Sequence, residues 1–523
     1  MNYLRSALGP TPQTEPLPGQ VANSAGGFSY GVDDWSRLRR FLVLGSEGGS
    51  YYATEKKLTA ENCAAVKRCI ASDGVRVVGE VVAVSCAGRA PKNDPAILAL
   101  ALCLKTGDDA TRRAAAEAVP QVCRIGTHLM HLAQFVNDLG GWGRGTKRAF
   151  AKWYQTKSAS DLAYQLVKYQ SRDGWSNRDI LRLAHPSAPT VDHAGLFAWA
   201  TGKEVDTSLL PPIVGAFEFA KTPAGADDIV HLIRDHNLPR EAIPTELLKQ
   251  PRVWDAMLPK MGLTALLRNL ATMTRIGLLQ SGSEAASLVC TRVTDGEQLR
   301  KSRVHPIAVL SALLTYKSGR SQRGDSSWTP VPRVVDALDS AFYAAFGNVE
   351  STGKRIELAL DVSGSMHGGQ VSGIPGLTPA QAAVAMAMVT LAVEPKATTS
   401  AFSSRYIRDL DISPKRRLDD NIRAIRGLPF QTTDCSLPMM MAMKEKLDRD
   451  AFFVYTDSET YAGRVHPSEA LKEYRRRHVQ NAKLGVIGMV SNGFTIADPD
   501  DQGMLDVVGF DTATPNVLGA FIS

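Results

Sequence analysis

The 523-residue chain lacks any charge-free apolar run near the ~18 residues that a membrane-spanning helix needs, so no membrane span is expected. Its opening, Met1-Asn2-Tyr3-Leu4-Arg5-Ser6, lacks the charged-then-apolar layout of a secretion signal. Cysteine is scarce and odd in number. The seven thiols, at 63, 69, 86, 103, 123, 290 and 435, include no C-x-x-C pair, which favours reduced, mostly buried thiols in a cytoplasmic protein. Strand-like alternation is nearly absent from the first two thirds. A strong charge of either sign is also missing: the net charge is +7. Residues 351–523 hold 19 Lys and Arg against 20 Asp and Glu, so the basic excess lies in residues 1–350, with 41 against 33. An anionic partner such as nucleic acid is therefore expected on the first part of the chain.

The length is too great for one core, and the grammar of the chain changes along it. Residues 1–27 hold Pro10, Pro12, Pro16 and Pro18 with Gly19, Gly26 and Gly27, and are expected to form a flexible arm. From Asp33 onward, Asp34 and Ser36 can cap a helix that Gly45 would stop. Up to about residue 345 helix follows helix, with 3.6-type apolar stripes at 62–72, 94–105, 110–122, 126–139, 147–153, 158–169, 177–183, 239–248, 253–260, 263–273 and 306–316. Serial helical hairpins of this kind stack into a HEAT-like solenoid or ring. Residues 28–350 are read as this all-α unit.

Three stretches of the helical unit are too basic and too rich in small residues to be plain core. The first, residues 37–57, carries Arg39, Arg40, Lys56 and Lys57 around a glycine-rich loop with Tyr51 and Tyr52, which could stack on bases. The second places Arg144, Lys147 and Arg148 after Gly140, Gly141 and Trp142. The third runs from Lys168 through Arg172 to His185, and Arg178, Arg182 and His185 share one helical face. The alternatives are an ordinary helix–loop–helix link for the first, a glycine-rich interhelix loop with a basic helix face for the second, and a solvated basic face for the third. Weaker sites of the same kind are 268–269, Arg275, 303–306 and 317–323.

Beyond residue 351 strands and helices alternate. Strands are expected at 355–361, 398–402, 452–456, 483–489 and 505–509, and helices at 379–393, 419–426, 437–446, 467–477 and 516–521. That pattern specifies an α/β domain with a doubly wound, mostly parallel sheet over residues 351–523, whose ligands would sit at the carboxyl ends of the strands. Asp361-Val362-Ser363-Gly364-Ser365 ends the first strand and presents three oxygen donors on alternate residues. The loop 431–436 offers Thr433, and the strand 452–456 ends in Asp457. An all-oxygen set of this kind suits a divalent ion such as Mg²⁺.

This arrangement resembles the von Willebrand factor A domain and its metal-ion-dependent adhesion site. The resemblance implies Asp361, Ser363, Ser365, Thr433 and Asp457 as direct or water-mediated ligands, with an acidic protein ligand entering the open position. Gln431-Thr432 departs from the Gly-rich loop common in that family. Longer motifs extend the likeness: 45–52 (Gly-Ser-Glu-Gly-Gly-Ser-Tyr-Tyr), 122–125, 263–270, 433–438 and 491–501 together resemble the Ro autoantigen family, a TROVE module followed by a von Willebrand A domain. The Ala- and Arg-rich composition suits a bacterial member. The resemblance implies a helical-repeat ring closed by the A domain. It further implies Y-type small noncoding RNA on the outer surface, with contacts at Lys168, Arg172 and His185, and single-stranded 3′ ends of misfolded RNA in the central hole. Asn177 stands where relatives often carry His. The function implied is noncoding RNA quality control or decay, by a monomer that could meet an exoribonuclease through the RNA.

Two other classes compete with this reading. A protein-adhesion scaffold would work mainly through the metal site. An enzyme would need more: there is no second acidic cluster at two-metal spacing, no evident general base, and no His placed to activate Cys435. No catalytic activity is therefore expected.

Overall fold

A computed structural model describes residues 10–47, 49–50, 53–321, 325–347, 349–371, 377–425, 427–428 and 431–523. Gly48, Tyr51 and Tyr52 of the first basic stretch lie outside these residues. Among the described residues no helix is long and apolar enough to cross a membrane, and all seven cysteines are free thiols.

The helical unit begins at Asp34–Leu44. Asp33, one residue before the expected cap, accepts the amide of Ser36, and Gly45 ends the helix with a positive φ. The apolar stripe at 62–72 is part of a much longer helix, Glu55–Ala87, kinked at the non-helical Asp73. The 239–248 stretch is shorter than expected and forms only the 3₁₀ turns Arg240–Ala242 and Leu247–Lys249. Most helices pack on the next but one: Glu55–Ala87 on Asp109–Val122, that helix on Arg144–Gln155, and that one on Asn177–Ala184. Such stepping buries each apolar stripe between neighbours and winds the chain into a solenoid.

The solenoid closes on itself. A Cβ at Gly88 would stand 2.9 Å from the Arg303 side chain, so the end of the second helix touches the start of the last helical pair. His305 sits in this junction, fully buried, and its Nε2 donates to the carbonyls of Arg89 (3.1 Å) and Phe510 (2.7 Å) while Nδ1 accepts the Ile307 amide. Burial pushes its pKa down to about 4, and the imidazole stays neutral. In sequence His305 reads as a weak RNA contact; the structure makes it part of the closure.

The last third carries a six-stranded sheet in the order Met504–Val508, Lys483–Gly488, Ala451–Thr456, Ile356–Asp361, Thr398–Phe402, Tyr406–Arg408. All pairs are parallel except the last, an antiparallel edge strand that carries no sequence signal. The chain leaves Ile356–Asp361 to one side and later returns to its other side at Ala451–Thr456, so these two central strands flank the topological switch point. Helix Pro379–Val393 is apolar on every face and is buried nearly throughout, in a hydrophobic cluster that runs through both the sheet domain and the solenoid.

The sheet domain grips both ends of the solenoid. At one end Arg40 inserts a fully buried guanidinium that pairs with Asp506 and donates to Phe494 O (2.8 Å) and Asn492 Oδ1 (3.2 Å). Arg89 pairs with Asp511 beside it. At the other end Lys317 pairs with Asp419, Arg417 with Asp336, and the Leu418 amide donates to Asp339 (2.8 Å).

Of the flexible arm expected over residues 1–27, residues 1–9 lie outside the described residues, and residues 10–27 differ from it. Strands Gln20–Ala22 and Phe28–Gly31 pair antiparallel, and Phe494–Thr495 of the sheet domain adds to the second. The prolines set turns rather than disorder, because the segment has a partner surface to hydrogen-bond. Gly27 permits the closest approach; a Cβ there would lie 2.2 Å from the Thr460 carbonyl. The whole segment is a strap across the sheet domain.

Arg40→Ala removes one partner of a buried ion pair and strands Asp506, which should cost about 3–5 kcal/mol. Chemical denaturation read by circular dichroism measures it; a loss below ~1 kcal/mol would show that this junction does not carry the assembly.

Candidate nucleic-acid ridge and metal centre

The third basic stretch forms a rigid ridge. Ser171–Arg172 and Trp175–Ser176 pair as a two-residue hairpin whose turn, Asp173-Gly174, has positive φ at both positions. That is the backbone a type I′ turn requires, and Asp-Gly is a preferred sequence for it. The hairpin is pinned from beneath: Trp175 packs on Trp142 with centroids 5.5 Å apart and donates to Gln134 (3.0 Å), and Asp173 bonds His131. Ser176 then starts helix Asn177–Ala184 with a full capping box to Asp179, and His185 ends it in the left-handed conformation. Arg172, Arg178, Arg182 and His185 all stand exposed on this scaffold.

Lys168 lies one turn before the hairpin and is half-buried. Its Nζ donates to the Tyr164 hydroxyl (3.2 Å) and sits over the Tyr164 and Tyr169 rings, 5.3 and 5.5 Å from their centroids. Burial works against its charge, but the two tyrosines outweigh that and hold its ammonium above the usual range. Lys168 is thus a fixed cation rather than a mobile one. Asn177 faces inward, accepting from Tyr154 OH (3.0 Å) and donating to Tyr169 O (2.7 Å). It is a core residue that positions the ridge.

The other basic stretches fare unequally. Arg144 and Arg148 are exposed and Lys147 is half-buried on helix Arg144–Gln155. Trp142 beside them is not free to stack, being packed on Phe150 at 4.2 Å between centroids. Lys56 and Lys57 are exposed on the first turns of Glu55–Ala87. Arg39 is half-exposed and pairs with Glu80 at 3.6 Å. Arg40 cannot reach an RNA: it is consumed by Asp506 in the domain junction. Its neighbours in sequence give no sign of this, because the partner lies 466 residues away.

The second constellation gathers at the carboxyl edge of the two central strands. Asp361 is fully buried, accepts the Ser363 amide (2.9 Å) at Oδ1, and takes the Thr456 hydroxyl (2.6 Å) at Oδ2. The Ser363 and Ser365 hydroxyls lie 3.1 Å apart, and Ser365 bonds Asp457. Asp457 accepts the Glu459 amide (3.1 Å). Thr433 is buried at the same edge, and its carbonyl receives the amides of Tyr461 (3.1 Å) and Ala462 (3.0 Å), which ties its loop to the one that follows Asp457. Four of the five sequence-selected residues thus meet directly, and the fifth joins through its backbone.

The electrostatics of this edge are unfavourable as it stands. Burial pushes the Asp361 carboxyl well above the usual range, and the facing Asp457 pushes it further. Burial raises Asp457 too. Burial and Asp457 bring Glu459 up to about 7. The groups that hydrogen-bond the two aspartates are neutral hydroxyls and amides. Ser458, between Asp457 and Glu459, holds a positive φ and a buried hydroxyl with no hydrogen-bond partner. Two facing carboxylates and three hydroxyls fit a hard divalent cation, whose charge would offset the repulsion and whose preference is for oxygen. Among the described residues no group of three or more His, Cys, Asp or Glu converges. Cys435, buried and 3.6 Å from Thr456 Oγ1, has its thiol pushed up well above the usual range by burial, the reverse of what a nucleophile needs.

Sequence reasoning missed two groups here. Asn492 donates to the Asp457 carbonyl (2.7 Å) while accepting from Arg40, and so links the acidic edge to the solenoid. Gln13, from the strap, reaches the same loops. Their signals are long-range hydrogen bonds, which no local pattern encodes.

Similarity to known proteins agrees in extent with this architecture. A family model described as the TROVE domain matches residues 21–205 and 235–315, and one described as the Ro60 vWA domain matches 355–522. A Deinococcus radiodurans relative named RNA-binding protein RO60 is 44% identical over 531 residues, spanning 100% of this chain and 99% of its own. A Caenorhabditis elegans relative of the same name is 34% identical over 585 residues, spanning 97% and 90%. The crystal structure of the Deinococcus radiodurans RO (RSR) protein matches with a TM-score of 0.70 and 42% identity, over 94% of this chain and 99% of that one.

The facing carboxylates make a prediction for metal-stripped protein. A buried carboxyl with a raised folded pKa holds more protons in the native state than in the unfolded one, so it destabilises progressively as pH rises above the ordinary carboxylate value near 4. In chelator, Asp361→Asn should therefore melt above the parent at pH 8, with the gain shrinking towards pH 4. Scanning fluorimetry across that range tests it, and a gain independent of pH would show that the two charges do not repel in the fold.

Proposed function

The chain belongs to the Ro60 family of RNA-binding proteins, joining a TROVE domain to a vWA domain, and from that membership we propose that its helical ring binds structured small noncoding RNA of the Y type. The observation that carries the reading is the ridge: one fixed lysine, Lys168, and four exposed groups, Arg172, Arg178, Arg182 and His185, on a pinned hairpin and a capped helix. Cations held at set spacings lose little freedom on meeting a phosphate backbone, and arginine forks match phosphate oxygens bidentately. Arg144, Lys147, Arg148, Lys56 and Lys57 extend the basic surface; Arg40 is withdrawn from it. The ridge would take the RNA on the outer surface, leaving the hole of the ring for single-stranded 3′ ends of misfolded RNA. Work of this kind belongs to cytoplasmic RNA quality control, with an exoribonuclease reached through the bound RNA and the protein itself monomeric.

The vWA domain adds a second, separate capacity. Asp361, Ser363, Ser365, Thr433 and Asp457 would hold a divalent ion, Mg²⁺ by donor chemistry, and the ion would offer a coordination position to a carboxylate of a protein ligand. The fit rests on the two repelling buried aspartates. Nothing in this centre requires turnover; it is a docking point, and the protein as a whole binds rather than catalyses.

Each charge-assisted hydrogen bond contributes ~1.5–3 kcal/mol, so Lys168→Ala with Arg172→Ala should weaken Y-type RNA binding at least about tenfold. The salt slope should fall by about 0.7–0.9 for each phosphate that is no longer neutralised. Fluorescence anisotropy across a salt series reads both; an unchanged affinity in a folded double variant sinks the assignment of the ridge. Asp361→Ala should leave RNA affinity within about threefold while abolishing capture of an acidic protein ligand. Loss of RNA binding in that variant would instead place the RNA on the vWA domain.

A further inference from the structure

The strap delivers one buried side chain to the back of the acidic edge. Gln13 is wholly buried. Its Oε1 accepts from the Thr460 hydroxyl (2.5 Å) and the Gly463 amide (3.1 Å), and its Nε2 donates to Asp434 Oδ1 (2.8 Å) and Val465 O (2.8 Å). Both donors and both acceptors of the amide are used, which neither a carboxylate nor an alcohol could reproduce.

The partners are what matter. Asp434 follows Thr433 directly, and Thr460 follows Asp457 by three residues. One amide therefore bridges the loop that carries the threonine donor and the loop that carries the second aspartate. Thr460 strengthens the bridge: its hydroxyl accepts the Cys435 amide (3.1 Å) and lies 3.3 Å from the Thr433 carbonyl. Asp434 also accepts the Ser436 amide (3.0 Å) and hydroxyl (2.6 Å). The joint has no slack, since a Cβ at Gly463 would come within 2.3 Å of both Asp434 Oδ1 and Gln13 Nε2. The neighbouring strap bonds act on the same loop: Asn23 Nδ2 donates to Thr460 O (2.7 Å), the Ser24 amide to Glu459 (2.8 Å), and the Ser29 hydroxyl to Ser458 O (2.8 Å).

We propose that Gln13 is a positioning residue of the divalent-cation centre, setting the separation between Thr433 and Asp457 from the opposite end of the chain. The proposal rests on the reading of Asp361, Ser363, Ser365, Thr433 and Asp457 as that centre. Groups that orient ligands rather than bind the ion typically change affinity about 10–100-fold when removed. A strap that only buried apolar surface would change stability and leave affinity alone.

The test uses the full chain, stripped with chelator and titrated with Mn²⁺ well below its melting temperature, by calorimetry and electron paramagnetic resonance. The parent should bind Mn²⁺ at the vWA domain and lose it with Asp457→Ala. Gln13→Ala should weaken that binding about 10–100-fold and change the Mn²⁺ spectrum. Gln20→Ala, which loosens the strap at its bond to His466, serves as the control and should stay within about threefold. Parent-like Mn²⁺ affinity in folded Gln13→Ala overturns the positioning role and leaves the centre standing. An equal loss in Gln20→Ala reduces the effect to general loosening and likewise overturns it. A parent that binds no Mn²⁺ overturns the centre itself, and the positioning role with it. Should Gln13→Ala not fold, Gln13→Asn, which keeps the amide but draws it out of reach of one loop, is titrated against the same criteria.

Discussion

The insertion of Arg40 into the sheet domain is the contact on which the assembly turns. A solenoid of paired helices has two open ends, each with an apolar face that would otherwise meet water. Here one protein surface covers both ends. Arg40 and Arg89 seat the first helices on Asp506 and Asp511, while Lys317 and Asp336 seat the last helices on Asp419 and Arg417. With His305 holding the two ends together, the vWA domain acts as the clasp of the ring as well as a module beside it. A buried guanidinium is an expensive way to make such a joint, since desolvation offsets much of the attraction. What it supplies is registry, because the two terminal nitrogens of a rigid planar fork must meet Asp506, Phe494 and Asn492 together, while Nε stays without a partner.

The two candidate sites are built on opposite logic. The ridge displays exposed charges, with Arg172 3.4 Å from the Asp173 carboxylate, and its precision comes from what lies beneath: Trp175 on Trp142, Asn177 between two tyrosines, a capped helix. The acidic edge hides charges that repel one another, and its precision comes from loops stitched by backbone amides. The ridge carries its charges outward, whereas the edge keeps its carboxylates buried. Asn492 bonds both the Asp457 carbonyl and Arg40, so a hydrogen-bonded path connects the acidic edge with the first helix of the ring.

Periodicity and strand ends make much of this visible in the sequence. The serial apolar stripes specify the solenoid, and the strand–helix alternation specifies the parallel sheet. The rule that ligands gather at carboxyl strand ends leads to Asp361 and Asp457 from residue order alone. The hairpin at 171–176 carries an Asp-Gly turn signal that a reading of basic residues passes over. What escapes is non-local. Arg40 reads as a surface base until Asp506 is seen beside it, and residues 10–27 read as disordered because composition cannot show a partner surface hundreds of residues away. The edge strand Tyr406–Arg408 is three residues long, too short for alternation to register.

Pairing of Phe28–Gly31 with Phe494–Thr495, and of Gln13 with Asp434, has a consequence for how the molecule comes into being. These contacts span more than 400 residues, so residues 10–31 have no docking surface until the segments around 434–495 have been made. Loop closure over such separations is slow, and the waiting segment carries unpaired strand edges. Local helical pairs therefore form ahead of the strap and the clasp, whose contacts wait for the distant segments. Synthesis that stops before Phe494–Thr495 would leave not a smaller working ring but an open one, with residues 10–31 unpaired and the solenoid ends exposed.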